Sequence, residues 1–211
     1  MLDTSDYIKI FIALLAVVDP LGTVPIIAAM TVHYAESSIK ALARTVILAV
    51  TVIMLSALFF GQDLLNFFGI SINSFQVSGG ILLMLMAISM LQAEISATVQ
   101  TKEEAQEGEA KQSIAVVPLA MPLLAGPGAI STIVLYAPLG SGLPHYFMMS
   151  LDILAVALIL WVVLSSIPWL TQHVSKTGIN IFTRLMGLIL SALAVEFIAN
   201  GLKGLFPALA S

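Results

Sequence analysis

The chain alternates between long apolar runs and short polar intervals, and the runs have the length of membrane crossings. An α-helix rises about 1.5 Å per residue, so roughly 20 apolar residues span a hydrocarbon core about 30 Å thick. Six runs meet that requirement, at residues 7–30, 41–61, 70–92, 114–138, 146–170 and 184–205. Between the second and third, Gly61-Gln62-Asp63 and Asn66 predict a short turn before Gly69. Residues 93–113 hold Glu94, Lys102, Glu103, Glu104, Glu107, Glu109 and Lys111 with few large apolar residues, which predicts a solvated acidic linker. It divides a first unit, residues 1–92, from a second, residues 114–211.

Two of the runs are interrupted by residues that break helices. Asp19-Pro20-Leu21-Gly22 lies in the first and Gly126-Pro127-Gly128-Ala129 in the fourth, 107 positions later. At the same offset Gly80-Ile81-Leu82-Leu83 falls on Gly187-Leu188-Ile189-Leu190, and Ala87 falls on Ala194. Landmarks that keep one register over half the chain indicate an internal duplication. The predicted fold is an all-α membrane protein of six transmembrane helices, built as two three-helix repeats with helices 1 and 4 broken. Because three crossings are odd, the second repeat enters from the opposite side. The repeats are then inverted in topology, related by a pseudo-two-fold axis in the membrane plane.

Composition agrees with a bilayer environment. Hydrophobic residues make up 59% of the 211 and charged residues 9%, with mean hydropathy +1.05, whereas soluble domains carry about 25% charged residues. The chain has no cysteine, which excludes disulfides, thiolate metal sites and thiol catalysis. His33, His145 and His173 fall in predicted loops without ligand spacing, so no metal centre, cofactor or nucleic-acid partner is expected.

Basic residues orient the crossings. Lys40 and Arg44 flank the first loop, Lys102 and Lys111 the third, and Lys176 and Arg184 the fifth, against Lys9 and Lys203 on the other side. This predicts cytoplasmic positions for those three loops and both termini outside. Asp3 and Asp6 precede the first run where a cleavable signal would carry basic residues, and the run is too long for a signal core. Tyr7, Tyr34, Tyr136, Tyr146 and Trp169 are expected at the interfaces, and Trp161 between helices or against lipid.

The chemistry must come from polar groups held at depth. Counted from Tyr7, Asp19 lies about 18 Å into the first run; counted from Arg184, Glu196 lies about 18 Å into the sixth. A carboxylate at such depth costs at least about 2.5–3.5 kcal/mol, so it faces a cavity, a partner or a proton path. The neutral acid is cheaper to bury, which makes Asp19 and Glu196 candidates for carrying a proton. Each could instead satisfy freed backbone groups at a helix break.

Pro20 and Pro25 lack an N–H and Gly22 tolerates unusual backbone angles, so the first run is expected to unwind from Pro20 to Thr23. Thr23 is placed to cap the half-helix that follows, with Pro25 in its first turn. Pro122, Gly126, Pro127 and Gly128 predict a matching break, after which Ala129-Ile130-Ser131-Thr132 begins a half-helix. New N-termini carry unpaired N–H groups and the positive end of a helix dipole, a setting for an anionic group such as a carboxylate. Gly79, Gly80 and Gly187 predict close helix packing. Gln76 and Asn200 could line a pathway or bridge helices, and Arg44, Asp152 and Arg184 fall near interfaces, where snorkelling accounts for them.

VDPLGTVPI at 18–26, GGILLMLMAISML at 79–91, VPLAMPLLAGPGAIST at 117–132 and RLMGLILSALAVEFIANGLK at 184–203 resemble the MarC family of integral membrane proteins. The similarity covers nearly the whole chain. It implies six spans, membership of the lysine-exporter type superfamily, and transport of small neutral amino acids such as glycine and alanine. Family members often carry Asn where this chain has Asp19, and an Asp at that place could add proton coupling or change charge preference.

The resulting expectation is a multi-pass inner-membrane secondary transporter of a small zwitterion, possible proton coupling included, and not an enzyme. Its substrate-binding residues would be Asp19, Pro20, Gly22, Thr23, Pro25, Gly126, Pro127, Gly128 and Ser131. An exporter of drugs or other metabolites is the alternative. An intramembrane enzyme fares worse, because no deep Ser and His pair exists and Asp152 is read as only about 9 Å inside its span. A membrane scaffold would leave the duplicated breaks unexplained.

Overall fold

The computed structural model describes residues 3–30, 36–92 and 124–207, and among these every regular element is helical. The predicted acidic linker at 93–113 and the first part of the fourth run lie outside the described residues. In chain order the elements are α1 (Thr4–Val18), α2 (Val24–Met30), α3 (Glu36–Phe67), α4 (Ile72–Gln92), α5 (Pro127–Tyr136), a 3-10 turn (Ala137–Leu139), α6 (Leu143–Ser165), α7 (Ile167–His173) and α8 (Lys176–Leu205). Among the described residues, four helices are long and apolar enough to cross a membrane alone: α3, α4, α6 and α8. The first run is divided between α1 and α2, so neither piece qualifies.

Three predicted limits are corrected. Gly61, Gln62, Asp63 and Asn66 form no turn, because α3 continues to Phe67 and the chain reverses at Gly69, whose φ is +67°. Gly61 serves close packing instead: a Cβ there would overlap the Val134 side chain of α5. The fifth run is not one helix, since α6 ends at Ser165 and α7 starts at Ile167 with Pro168 in its first turn. The sixth begins at Lys176, eight residues before Arg184, with the Ser175 hydroxyl accepting from the Gly178 N–H at 3.1 Å.

Helices α4 and α8 form the most extensive contact and run antiparallel. Along it, Gly80 faces Ala194 and Ile198, Gly187 faces Ala87 and Leu91, and Gly201 faces Asn73 and Val77. Small residues let two membrane helices approach to backbone contact, which is the role predicted for Gly80 and Gly187. The remaining helices pack in matching pairs. Helix α1 lies on α6 and α8, while α5 lies on α3 and α4; α3 also packs on α6, and α1 on α5.

The core runs through these contacts, with Leu14, Val46, Met54, Ile133, Met149, Ile153, Leu160 and Leu190 fully buried. The outward faces are apolar as well, carrying Leu48, Phe60, Leu154, Leu158, Leu185 and Leu188. Apolar residues on both faces of a helix are what a lipid solvent requires. Trp161 is 43% exposed on this outer surface. Tyr7 departs from the expected aromatic belt, being buried against His145.

Candidate functional site

Helix α1 stops because its next residues cannot continue it. Asp19 accepts the last helical geometry through its N–H, which donates to the Leu15 carbonyl at 3.0 Å, but its own backbone is left-handed at φ 37° and ψ 67°. It is the only non-glycine residue with positive φ among those described. Aspartate tolerates this region because its short carboxylate can bond locally. Here Asp19 Oδ1 accepts the Gly22 N–H at 3.2 Å.

The consequences for α1 are electrostatic. Pro20 has no N–H to offer the Ala16 carbonyl, and the Gly22 N–H serves Asp19 Oδ1 rather than the Val18 carbonyl. The negative end of the helix therefore keeps free carbonyl oxygens beside a carboxylate. The predicted unwinding from Pro20 to Thr23 matches the observed turn. The Thr23 hydroxyl donates to the Pro20 carbonyl at 2.8 Å, and the Thr23 carbonyl accepts the Ile27 N–H at 3.0 Å as α2 begins. Asp19, Pro20 and Thr23 are buried, Gly22 is half-buried, and Pro25 is exposed in the first turn of α2.

The second break is better filled. Gly126 is the N-cap of α5, extended at φ −68° and ψ −179°, and Pro127 follows as the first helical residue. Proline is suited to that position because its missing N–H would have no helical partner. Gly126, Gly128 and Ser131 are buried and Pro127 is exposed. A Cβ on Gly128 would stand 3.2 Å from Val17 of α1 and 3.3 Å from Leu83 of α4, and would press on Met86. Ser131 lies against Gly79 of α4.

These contacts bring the last turn of α1 against the first turn of α5, the two meeting at Val17 and Gly128. The free carbonyl end of one helix thus neighbours the free N–H end of another. Not all candidate residues join this meeting. Glu196 and Asn200 are exposed on α8, and Gln76 is half-buried on α4. Asp19 lies level with Thr183 of α8, so Glu196, thirteen residues further on, stands roughly 20 Å away along the helix. The two deep carboxylates do not share a site.

Thr183 is the residue that sequence reading passed over. Its hydroxyl points at the Asp19 carboxylate, yet it is buried without a partner at good hydrogen-bond geometry. The point where a Cβ on Gly22 would stand lies within 2.8 Å of both Thr183 Oγ1 and an Asp19 carboxylate oxygen.

Two other readings change. Asp152 is nine residues into α6, about 13.5 Å along it rather than 9 Å, and its Oδ2 is buried without a partner. Snorkelling does not describe it. His145 is in the first turn of α6 and not in a loop. Its Nε2 lies 3.0 Å from the Ala137 carbonyl and its Nδ1 2.9 Å from the Tyr7 hydroxyl. A carbonyl only accepts, so in the neutral ring Nε2 carries the hydrogen and Tyr7 donates to Nδ1. His173 ends α7, stacked on Trp169, and His33 lies outside the described residues. Among the described residues no cluster of three His, Asp or Glu side chains could hold a metal.

Comparison with known proteins fits this architecture. The model of the MarC family of integral membrane proteins matches residues 4–206. The chain belongs to the MarC family. A UPF0056 membrane protein of Buchnera aphidicola subsp. Acyrthosiphon pisum is 43% identical over 207 residues, covering 98% of this chain and 96% of the relative. UPF0056 membrane protein YhcE of Escherichia coli is 41% identical with the same coverage, and YvbG of Bacillus subtilis is 37% identical over 98% of this chain and 99% of its own. No solved structure matches the chain. As a MarC family member it is an integral, multi-pass membrane protein.

Proposed function

We propose that this protein is a secondary transporter of the cytoplasmic membrane that moves small neutral amino acids of the glycine and alanine type. The observation carrying the reading is the junction of α1 and α5, where a carbonyl end bearing Asp19 adjoins an N–H end at Gly128. A zwitterion is complementary to such a junction. Its carboxylate suits the N–H groups of α5, as at helix N-termini generally, and its ammonium suits the oxygen-rich end of α1. The space beside Gly128 is already taken by Val17, Leu83 and Met86, which favours solutes with little side chain.

The reading includes six crossings in two inverted three-helix repeats, with both termini outside. It is supported by the α4–α8 contacts, which map onto themselves under the 107-residue offset between antiparallel helices. An axis in the membrane plane relates antiparallel helices, whereas an axis along the membrane normal relates parallel ones. Asp19, as the buried carboxyl within the junction, is the residue proposed to couple protons to solute movement. Glu196 has no part in this scheme.

The test is exchange of labelled glycine and alanine by purified protein in liposomes. Specific counterflow is the expected result; its absence in folded protein would sink the amino-acid assignment.

A further inference from the structure

We infer that Asp19 and Thr183 form a cation-accepting subsite spanning the two halves of the chain, which takes a single positive charge in a shell of oxygen atoms. The inference rests on the transporter reading only for the identity of the solute, since the geometry stands by itself. Four observations converge on it. Asp19 is 8% exposed and its Oδ1 accepts from the Gly22 N–H, which leaves Oδ2 to face Thr183 and a further partner. The Thr183 hydroxyl reaches the same spot from α8, with its oxygen buried and lacking a hydrogen bond of good geometry. Both oxygens lie within 2.8 Å of one point above the Gly22 Cα, so they are close enough to share a ligand. The freed carbonyls of α1 add the negative end of a helix dipole.

The donor set selects the ligand. Oxygen atoms alone suit hard cations and ammonium groups. One carboxylate with neutral oxygens balances one positive charge; Glu196 is remote, and among the described residues no group of three His, Asp or Glu side chains could hold a metal. That disfavours a divalent ion. Buried polar groups are satisfied in folded proteins, and the Thr183 hydroxyl, buried without a hydrogen bond of good geometry beside the Asp19 carboxylate, keeps capacity for a ligand that both can bind. Two sources offer this chemistry: sodium from solution, or the ammonium of a bound amino acid. Gly22 lets the two oxygens approach, since a Cβ there would overlap the Asp19 carboxylate and press on the Thr183 hydroxyl.

The arrangement crosses the repeat boundary. Asp19 belongs to the first unit and Thr183 to the second, so an occupant would hold α1 against α8 and be released as they part. No sequence motif joins these two residues, which are 164 positions apart.

The experiment measures binding of glycine, methylammonium and ²²Na⁺ to the full-length protein in nanodiscs, in wild type, Thr183→Val, Thr183→Ser and Asp19→Asn. Valine keeps the shape of threonine without the hydroxyl, and serine keeps the hydroxyl. We expect Thr183→Val to weaken binding of the cationic probe at least tenfold, and Thr183→Ser to stay within about threefold of wild type. If glycine binding needs no sodium and methylammonium competes, the occupant is the ammonium; saturable ²²Na⁺ binding without glycine identifies sodium. Should glycine bind equally to wild type and Thr183→Val, with no ²²Na⁺ site in either, the subsite is refuted while the transporter reading survives. Thr183-dependent ²²Na⁺ binding without any glycine binding would keep the subsite and reject the amino-acid reading. Gel filtration and thermal melting of each variant separate loss of ligand from loss of fold.

Discussion

Gly80 and Gly187 occupy reciprocal places in one helix pair. A Cβ on Gly80 would stand 2.9 Å from the Ala194 carbonyl oxygen and 3.0 Å from the Ile198 nitrogen; one on Gly187 would stand 3.1 Å from the Ala87 carbonyl oxygen and 3.3 Å from the Leu91 nitrogen. Ala87 and Leu91 lie 107 positions before Ala194 and Ile198. Each glycine thus meets the counterpart of what the other meets. Without a hydrophobic drive between helices in lipid, close backbone packing holds α4 to α8.

Gly80→Ala and Gly187→Ala should therefore each destabilise the protein, by about 1–3 kcal/mol as overpacked sites do. The obstacle is backbone, which cannot swing aside as a flexible side chain would. Gly178→Ala is the control, because its Cβ would meet the Ser175 hydroxyl at 3.4 Å, an ordinary contact. Thermal unfolding in detergent reads all three. Losses at Gly80 and Gly187 no larger than at Gly178 would show the packing to be looser than described.

Tyr7 and His145 join α1 to α6 through a chain that ends on the Ala137 carbonyl. Tyr7→Phe removes the donor and strands a buried ring nitrogen, at an expected cost of about 1–3 kcal/mol. The same melting assay checks it. An unchanged melting temperature would mean that the hydroxyl is dispensable to the pair.

Gly22→Ala should abolish glycine binding while leaving the protein folded, since its new methyl group would overlap the Asp19 carboxylate and push it away from Thr183. Gel filtration with a binding assay separates the two effects. Retained binding at wild-type affinity would place the solute elsewhere.

Glu196→Gln should change glycine binding by less than about threefold, because Glu196 is exposed and lies roughly 20 Å along α8 from the junction. A loss as large as that caused by Asp19→Asn would contradict this separation.

The sequence made the first break legible down to its residues, because Pro20, Gly22 and Pro25 act locally through missing N–H groups and backbone freedom. Gly80 and Gly187 were legible for the same reason, together with the repeat offset. What escaped was set by tertiary contact. Gly61 resembles a turn residue, and only the approach of Val134 explains why it lies inside a helix. His145 follows Gly140, Gly142 and Pro144, a loop-like sequence, yet Pro144 lies in the first turn of α6 and the ring is buried by Tyr7. Thr183 adjoins Arg184, whose charge marked an apparent membrane boundary, while α8 begins eight residues earlier. That misplaced boundary also set Glu196 level with Asp19. A signal was present in Ser175, a capping residue ahead of Lys176, which would have started the helix there.

The most direct test is counterflow of labelled glycine and alanine in proteoliposomes, with and without an imposed pH gradient, comparing wild type with Asp19→Asn. Wild type is expected to show specific exchange that responds to the gradient, and Asp19→Asn to lose that response although it remains folded. Absence of exchange by folded wild-type protein, or a gradient response unchanged in Asp19→Asn, would contradict it.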